Sequence, residues 1–316
     1  MQPTNFLAIP DDCKKCICYF IEDKIFLKLT LANKELSKKR HIKELTHYYF
    51  ARSLNNYSFK KLICRKVFIE AADRYCIRAK NFPSCVTHVK FYNGFTSSFW
   101  DLDFPETVTH VEFGHRTSRN IDKLPNSITT LILGDRFNHF DNKWPAKLQS
   151  LTLGRKYTEI PFNLPGSIKY LKFGDKFNKS IDLLPDSIEH LILGALFNQP
   201  INKYPKNLIH LKLGEYFNQS IFDLPTGLKY LKFGNRFNQS IDFLPDSIEK
   251  LTLGDSFNQP INKFPKNLMY LKLGMNFLKP LTNPPASLKY LKVYYRYYRI
   301  FELDAFSKKF IVEYYG

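Results

Sequence analysis

From residue 83 to 292 the same arrangement of apolar and polar positions returns unit after unit, each opened by a proline such as Pro165, Pro185, Pro205 or Pro225. In the unit from Pro185 to Tyr204 the apolar places are Ile188, Leu191, Leu193, Phe197 and Ile201. Neighbouring units repeat the first three as Ile168/Leu171/Phe173, Leu208/Leu211/Leu213, Leu228/Leu231/Phe233 and Ile248/Leu251/Leu253. Leu-x-Leu alternates with a period of two, so each unit predicts one short strand, about five to seven residues long. Pro185 limits the start of that strand because it cannot donate to a ladder. Gly194 is expected to end it in a turn with positive φ. Phe197 and Ile201 supply the core side of the return, which has no room for a full helix and is expected to be extended or 3₁₀. No unit can bury its own apolar face, so the units must stack, with strands pairing in a parallel sheet about 4.8 Å apart.

Asparagine follows the aromatic at 138, 178, 198, 218, 238 and 258. A buried amide there can bond the backbone of the adjacent turn. A longer period overlies the short one. Residues 113–134, 173–194 and 233–254 align over their full length, which makes a block of three turns the duplicated unit. The stretch 83–91 reads as a first turn, and the tyrosine-rich run 294–299 breaks the pattern and is expected to cap it. Tyr157-Thr158 replaces Phe-Asn inside the array and predicts a local irregularity.

The Leu-x-Leu strand with a following asparagine resembles leucine-rich repeats. Phe197-Asn198-Gln199-Pro200-Ile201 and Phe257-Asn258-Gln259-Pro260-Ile261 resemble FNIP repeats more closely. The resemblance implies a leucine-rich-repeat-like solenoid of about ten 20-residue turns.

If Leu191 and Leu193 point inward, residues 190 and 192 point out. Those columns read Tyr170/Lys172, His190/Ile192, His210/Lys212, Tyr230/Lys232, Lys250/Thr252, Tyr270/Lys272 and Tyr290/Lys292. Tyrosine is a rigid amphipathic contact residue and lysine columns attract carboxylates or phosphates. We read Tyr170, Lys172, His210, Lys212, Tyr230, Lys232, Tyr270 and Lys272 as the candidate target-binding residues.

Ahead of the repeats, Pro10 before Asp11 and Asp12 opens a helical stretch through Ile17, Phe20 and Ile21. Helix periodicity continues at Ile25, Leu29, Ala32 and Leu36. The Ile-Pro-Asp start and the later Leu29-x-Leu31-x-Asn33-Lys34-x-Leu36 segment resemble an F-box. That resemblance implies binding to the Skp1 adaptor of a cullin–RING ubiquitin ligase, with Ile9, Pro10, Ile17, Phe20, Ile25, Leu29 and Leu31 framing the contact or the small core beneath it. Proteins joining the two modules form a family in social amoebae and in giant viruses of amoebae. The expected organisation is an F-box-like helical domain at 1–48 and a helical linker with an N-terminal capping strand near 61–69 within 49–82. The solenoid at 83–292 and a C-terminal cap at 293–316 follow.

Composition narrows the function classes. The chain carries 47 basic and 29 acidic residues, a net charge of +18. A basic balance favours acidic partners, which are nucleic acid, an anionic membrane surface or an acidic or phosphorylated protein, and of these no membrane partner is expected. Residues 1–20 lack the apolar core of a secretory signal, and no run reaches the roughly 18 apolar residues of a membrane span. All six cysteines precede residue 86 and none could staple the repeats, which suits an intracellular, cytoplasmic setting. Cys13, Cys16 and Cys18 lie on an expected helix without a second close pair and read as core thiols rather than zinc ligands. No phosphate loop, metalloprotease helix or nucleophile elbow occurs, so no catalytic group, metal or cofactor is expected. Three functions follow: a ligase adaptor recruiting a target protein, a protein-binding solenoid without that link, and a nucleic-acid-binding solenoid.

Overall fold

The computed structural model describes residues 86–91, 104–116, 121–138, 143–297 and 310–315, together with the backbone of 45–51 and 64–69. They fall into two compact units, one reaching Gly134 and including Lys143–Lys147, the other holding 135–142 and everything from Leu148. The residues read as F-box-like up to 44 lie outside the described residues.

In the first unit, β1 (Leu45–Ala51), β2 (Cys64–Ile69), β3 (His88–Phe91), β4 (His110–Glu112) and β5 (Thr130–Ile132) pair in chain order, all parallel. β2 stands where a capping strand was expected; β1 is a strand where residues 45–48 were read as the end of the F-box-like helical domain and 49–51 as helical linker.

The second unit holds β6 (Ser150–Thr152), β7 (Tyr170–Lys172), β8 (His190–Ile192), β9 (His210–Lys212), β10 (Tyr230–Lys232), β11 (Lys250–Thr252), β12 (Tyr270–Lys272), β13 (Tyr290–Tyr294) and β14 (Ile311–Tyr315). Again every neighbouring pair is parallel, and from β6 to β13 the register advances by one whole repeat per strand without a slip. The two units carry about ten leucine-rich-repeat-like turns of a parallel β-solenoid.

Most strands are three residues long, shorter than the pattern suggested, and the hydrogen bonds give the reason. A turn closes just before each strand, where the Ile188 amide donates to the Pro185 carbonyl, and another just after it, where Phe197 donates to Gly194. Between them the Glu189 and His190 amides share the Lys169 carbonyl at 2.8 and 2.9 Å. The chain is already rotating out of the ladder there. Six side chains of this turn face inward: Ile188, Leu191, Leu193, Phe197, Ile201 and Tyr204, none more than 7% exposed. Each repeats in the turns beside it, so the core is a set of parallel apolar columns. The phenylalanines stack at 6.0 Å between Phe177 and Phe197, 5.9 Å to Phe217 and 6.2 Å to Phe237. These spacings lie in the favourable range for offset rings.

The glycine column corrects the expectation drawn from sequence. None of Gly174, Gly194, Gly214, Gly234, Gly254 and Gly274 takes a left-handed φ. A Cβ at any of them would fall 1.8 to 2.1 Å from the carbonyl oxygen of the glycine one turn earlier. Close approach of turn to turn, rather than an unusual turn, excludes a side chain. Left-handed backbone occurs instead at Asn163 (φ 53°), Asp223 (φ 51°) and Asn283 (φ 52°), residue types that tolerate it. They recur at the same place in successive three-turn blocks.

Asparagine does bridge turns, although from exposed or half-buried positions. The amides of Asn198, Asn218, Asn238 and Asn258 each donate to the Oδ1 of the asparagine one turn before, all at 2.9 Å. An aspartate ladder runs beside it on the three-turn beat. Asp182 accepts from the Asn202 and Lys203 amides and from Asn202 Nδ2, and Asp242 does the same with Asn262 and Lys263. At 157 the expected irregularity is absent: Tyr157 is fully buried and stacks on Phe137 at 6.3 Å, so its ring replaces the phenylalanine without breaking the column.

Candidate functional site

The alternation of the strands sorts side chains before any chemistry is considered. Leu171, Leu191, Leu211, Leu231, Leu251 and Leu271 are at most 2% exposed, so their neighbours in the strand face outward. Parallel register then lines those neighbours up: Tyr170, His190, His210, Tyr230, Lys250, Tyr270 and Tyr290 in one column, and Lys172, Ile192, Lys212, Lys232, Thr252, Lys272 and Lys292 in the next. All eight proposed target-binding residues lie in this ribbon. The residues assigned to a Skp1 contact, Ile9, Pro10, Ile17, Phe20, Ile25, Leu29 and Leu31, lie outside the described residues.

The first column is a stack rather than a row of separate rings. Tyr170 tilts against His190 at 6.3 Å, His190 lies on His210 at 4.4 Å, and His210 lies on Tyr230 at 4.0 Å with 4° between the planes. Sequence reading found these residues but not their stacking, which needs the zero-slip register to be seen. Burial lowers the pKa of His210, and its electrostatic interaction with His190 adds to the effect. Burial likewise raises the Tyr170 phenol. Further along, Lys250 Nζ sits 4.6 Å from the centre of the Tyr270 ring.

The second column is cationic. Lys172, Lys212 and Lys232 are exposed. From β7 to β13 neither outward column holds a carboxylate. Acidic residues stand one place aside, where they are already paired: Lys169 with Glu189 at 2.8 Å and Lys229 with Glu249 at 2.9 Å. Such exposed pairs contribute little to stability, but they remove those carboxylates as partners for the ribbon.

At the C-terminal end, β14 brings residues that the repeat pattern did not reveal. Glu313 bonds Lys292, which raises the lysine pKa, and Lys272 Nζ sits 4.4 Å from the centre of the Tyr315 ring. Both lysines are half-buried there. In the first unit the same face is neutralised internally. His88 stacks on His110 at 4.0 Å, and Lys90 pairs with Glu112 at 2.7 Å. Among the described residues no group of three or more metal-ligating side chains exists, and no helix is long and apolar enough to cross a membrane.

A family model for the FNIP repeat matches residues 158–196, 197–235, 221–256 and 237–274. Among solved structures, CroV588, a circular leucine-rich-repeat protein from a giant virus, is 35% identical over 80% of this chain, with a TM-score of 0.70. The match covers 39% of the CroV588 chain, so this chain spans well under two thirds of that protein. YopM from Yersinia enterocolitica is 18% identical over 73% of this chain and 50% of its own, with a TM-score of 0.42. No curated protein matches the chain. The phase-locked Phe-Asn and Leu-x-Leu-Gly columns, the family match and the likeness to CroV588 agree: residues 158–274 are FNIP repeats, folded as a leucine-rich-repeat-like parallel solenoid.

Proposed function

We propose that this protein is an interaction adaptor that holds a target protein on the strand face of its solenoid and engages a Skp1-like subunit of a ubiquitin ligase through residues 1–48. The observation that carries the target-binding half is the ribbon itself. Across the seven aligned strands β7 to β13 neither outward column holds a carboxylate, and on four of them, β7 to β10, Tyr170, His190, His210 and Tyr230 form a run of ring contacts beside Lys172, Lys212 and Lys232. Stacked rings offer a flat, pre-ordered surface at little entropic cost, and the exposed lysines favour an acidic or phosphorylated partner. A leucine-rich-repeat-like solenoid is also a scaffold type that generally serves protein binding. The ligase half rests on the F-box resemblance of the segment 1–48.

Photo-crosslinking separates the halves. A benzoylphenylalanine placed at Tyr230 is expected to capture a target protein, whereas one placed at Tyr216, on the return, is expected to capture none. Equal capture from both positions overturns the strand-face assignment. Pro10→Ala with Ile17→Asp is expected to abolish Skp1 capture and leave crosslinking at 230 unchanged. No capture of Skp1 by the unaltered protein removes the ligase link and leaves a plain protein-binding solenoid. Indiscriminate binding of any polyanion, with a steep salt slope, would instead mark a nucleic-acid binder.

A further inference from the structure

Two pairs of lysines sit side by side on the strand face at the same place in successive blocks. Lys212 is the register partner of Lys232, and Lys272 of Lys292. Neighbouring parallel strands bring their backbones to about 4.8 Å, where like charges oppose one another. The second pair has its remedy within the chain. Glu313 bonds Lys292, and the Tyr315 ring lies 4.4 Å from Lys272 Nζ and 5.6 Å from Lys292 Nζ. The Tyr315 hydroxyl donates to the Leu273 carbonyl at 2.7 Å and fixes the ring over the pair. A carboxylate and an aromatic ring two positions apart thus answer two lysines.

The first pair lacks that answer. The register partner of Lys232 on its far side is Thr252, where Lys292 meets Glu313. Lys212 is bordered on its other side by Ile192. Both lysines are exposed, and beside them runs the His190–His210–Tyr230 stack. His210 Nδ1 is buried there without a hydrogen-bond partner among the described residues.

Resting on the reading that the strand face carries the target, we infer that Lys212 and Lys232, with the adjoining stack, bind an extended segment of the partner protein in which an acidic residue precedes a tyrosine by two positions. Strand β11 fills the place beside β10, so the segment lies over the face rather than extending the sheet. Its carboxylate meets Lys232 above the small Thr252, and its aromatic ring covers Lys212 and the His210–Tyr230 rings. The chain's own β14, Phe-Ile-Val-Glu-Tyr-Tyr with its preceding residue, is the pattern for that chemistry.

The test uses the full chain and a fluorescein-labelled peptide of residues 310–315, acetylated and amidated, in anisotropy titrations. The unaltered protein is expected to bind it, and Lys212→Glu with Lys232→Glu to weaken binding at least tenfold. Lys212→Gln with Lys232→Gln, which adds no new charge, is expected to lie between. A peptide with its glutamate changed to lysine should bind the Glu double variant better than it binds the unaltered protein. Changing the tyrosine two positions after the glutamate to alanine should also weaken binding at least tenfold. Equal affinity of the double variants, or loss of binding only when their melting temperature also falls, overturns the proposal. So does displacement of the peptide by polyphosphate at equal charge concentration. If the peptide fails while crosslinking from position 230 still captures a target, the acidic–aromatic class is wrong and the face is right. If both fail, the face itself is wrong.

Discussion

At Gly214 and Gly234 the preceding turn leaves room for a hydrogen and nothing larger. An added Cβ would lie 1.9 and 2.0 Å from a backbone carbonyl oxygen, which cannot swing away as a side chain could. Gly234→Ala is therefore expected to cost about 3 kcal/mol or more, near the upper end for overpacking, read as a fall in denaturant midpoint. Gly227 is the control, since nothing lies within 4 Å of its Cβ position and its φ is not left-handed. Gly227→Ala should be neutral or stabilising by about 0.4–1 kcal/mol. The aspartate ladder gives a second expectation. Desolvation, the largest single influence on Asp182 and on Asp242, raises the pKa, but the combined hydrogen bonds from Asn202, Ser180 and Lys203, and from Asn262, Lys263 and Ser240, bring it below the ordinary value. A lowered folded pKa means stability that is complete at neutral pH and is lost as the pH falls through the ordinary aspartate value, about 4, toward the folded one. Asp182→Asn with Asp242→Asn should lower the melting temperature at about pH 7 and flatten its decline as the pH falls below the ordinary aspartate value of about 4. An unchanged decline would show that other carboxylates govern acid unfolding.

At the scale of the element, the aromatic column has a definite end. Phe277 is followed by Leu278, whose amide still donates to Asn258 at 2.9 Å but which offers no side-chain acceptor to a further turn. Tyr297 supplies the finish. Its ring stacks on Phe277 at 5.6 Å, and its hydroxyl accepts from the Leu281 amide at 3.2 Å and donates to the Lys279 carbonyl at 3.0 Å. One side chain thus serves both as the next ring and as the next backbone. Tyr297→Phe keeps the ring and removes both bonds, with an expected loss of about 1–3 kcal/mol because a buried amide is left unpaired. Tyr297→Ala should cost about 3–5 kcal/mol. Thermal melts of the two variants check the split. The tyrosine-rich run was read as a break in pattern, and the tyrosine that closes the column was overlooked although its spacing marks it. Tyr297 keeps the step of one repeat from Phe277, whereas its neighbours at 294, 295 and 298 do not. Likewise the glycine column was legible as a period while its cause was not, since a sequence shows recurrence but not the distance to the chain one turn away. Tyr157 was misread for a related reason: its ring keeps the stack on Phe137, and the departure shows only at its hydroxyl, which is buried without a hydrogen-bond partner among the described residues.

For the molecule as a whole, the two outward columns follow directly from strand alternation and could be named before any coordinates. Which of their lysines are already engaged could not. Glu313 meets Lys292 one position out of step with the repeats, and beyond the end of the repeating pattern. Only the placement of β14 shows that the lysine pair at 272 and 292 is occupied, while among the described residues no such strand answers the pair at 212 and 232.

The left-handed residues at 163, 223 and 283 and the aspartate links at 182 and 242 make a period of three turns, not one. Removing residues 194–253 would set Asp182 beside Asn262 and Lys263, the same partner types it has now, and should leave a shorter chain that melts cooperatively. Removing only 194–213 would set Asp182 beside Phe222 and Asp223, exchanging the Asn202 side-chain bond for a like charge. The shorter excision should therefore be the more damaging one by melting temperature, although it takes away a third as much chain. Length in such an array comes in quanta, and a gene encoding it can grow or shrink without harm only by whole sentences of three words, never by a single word.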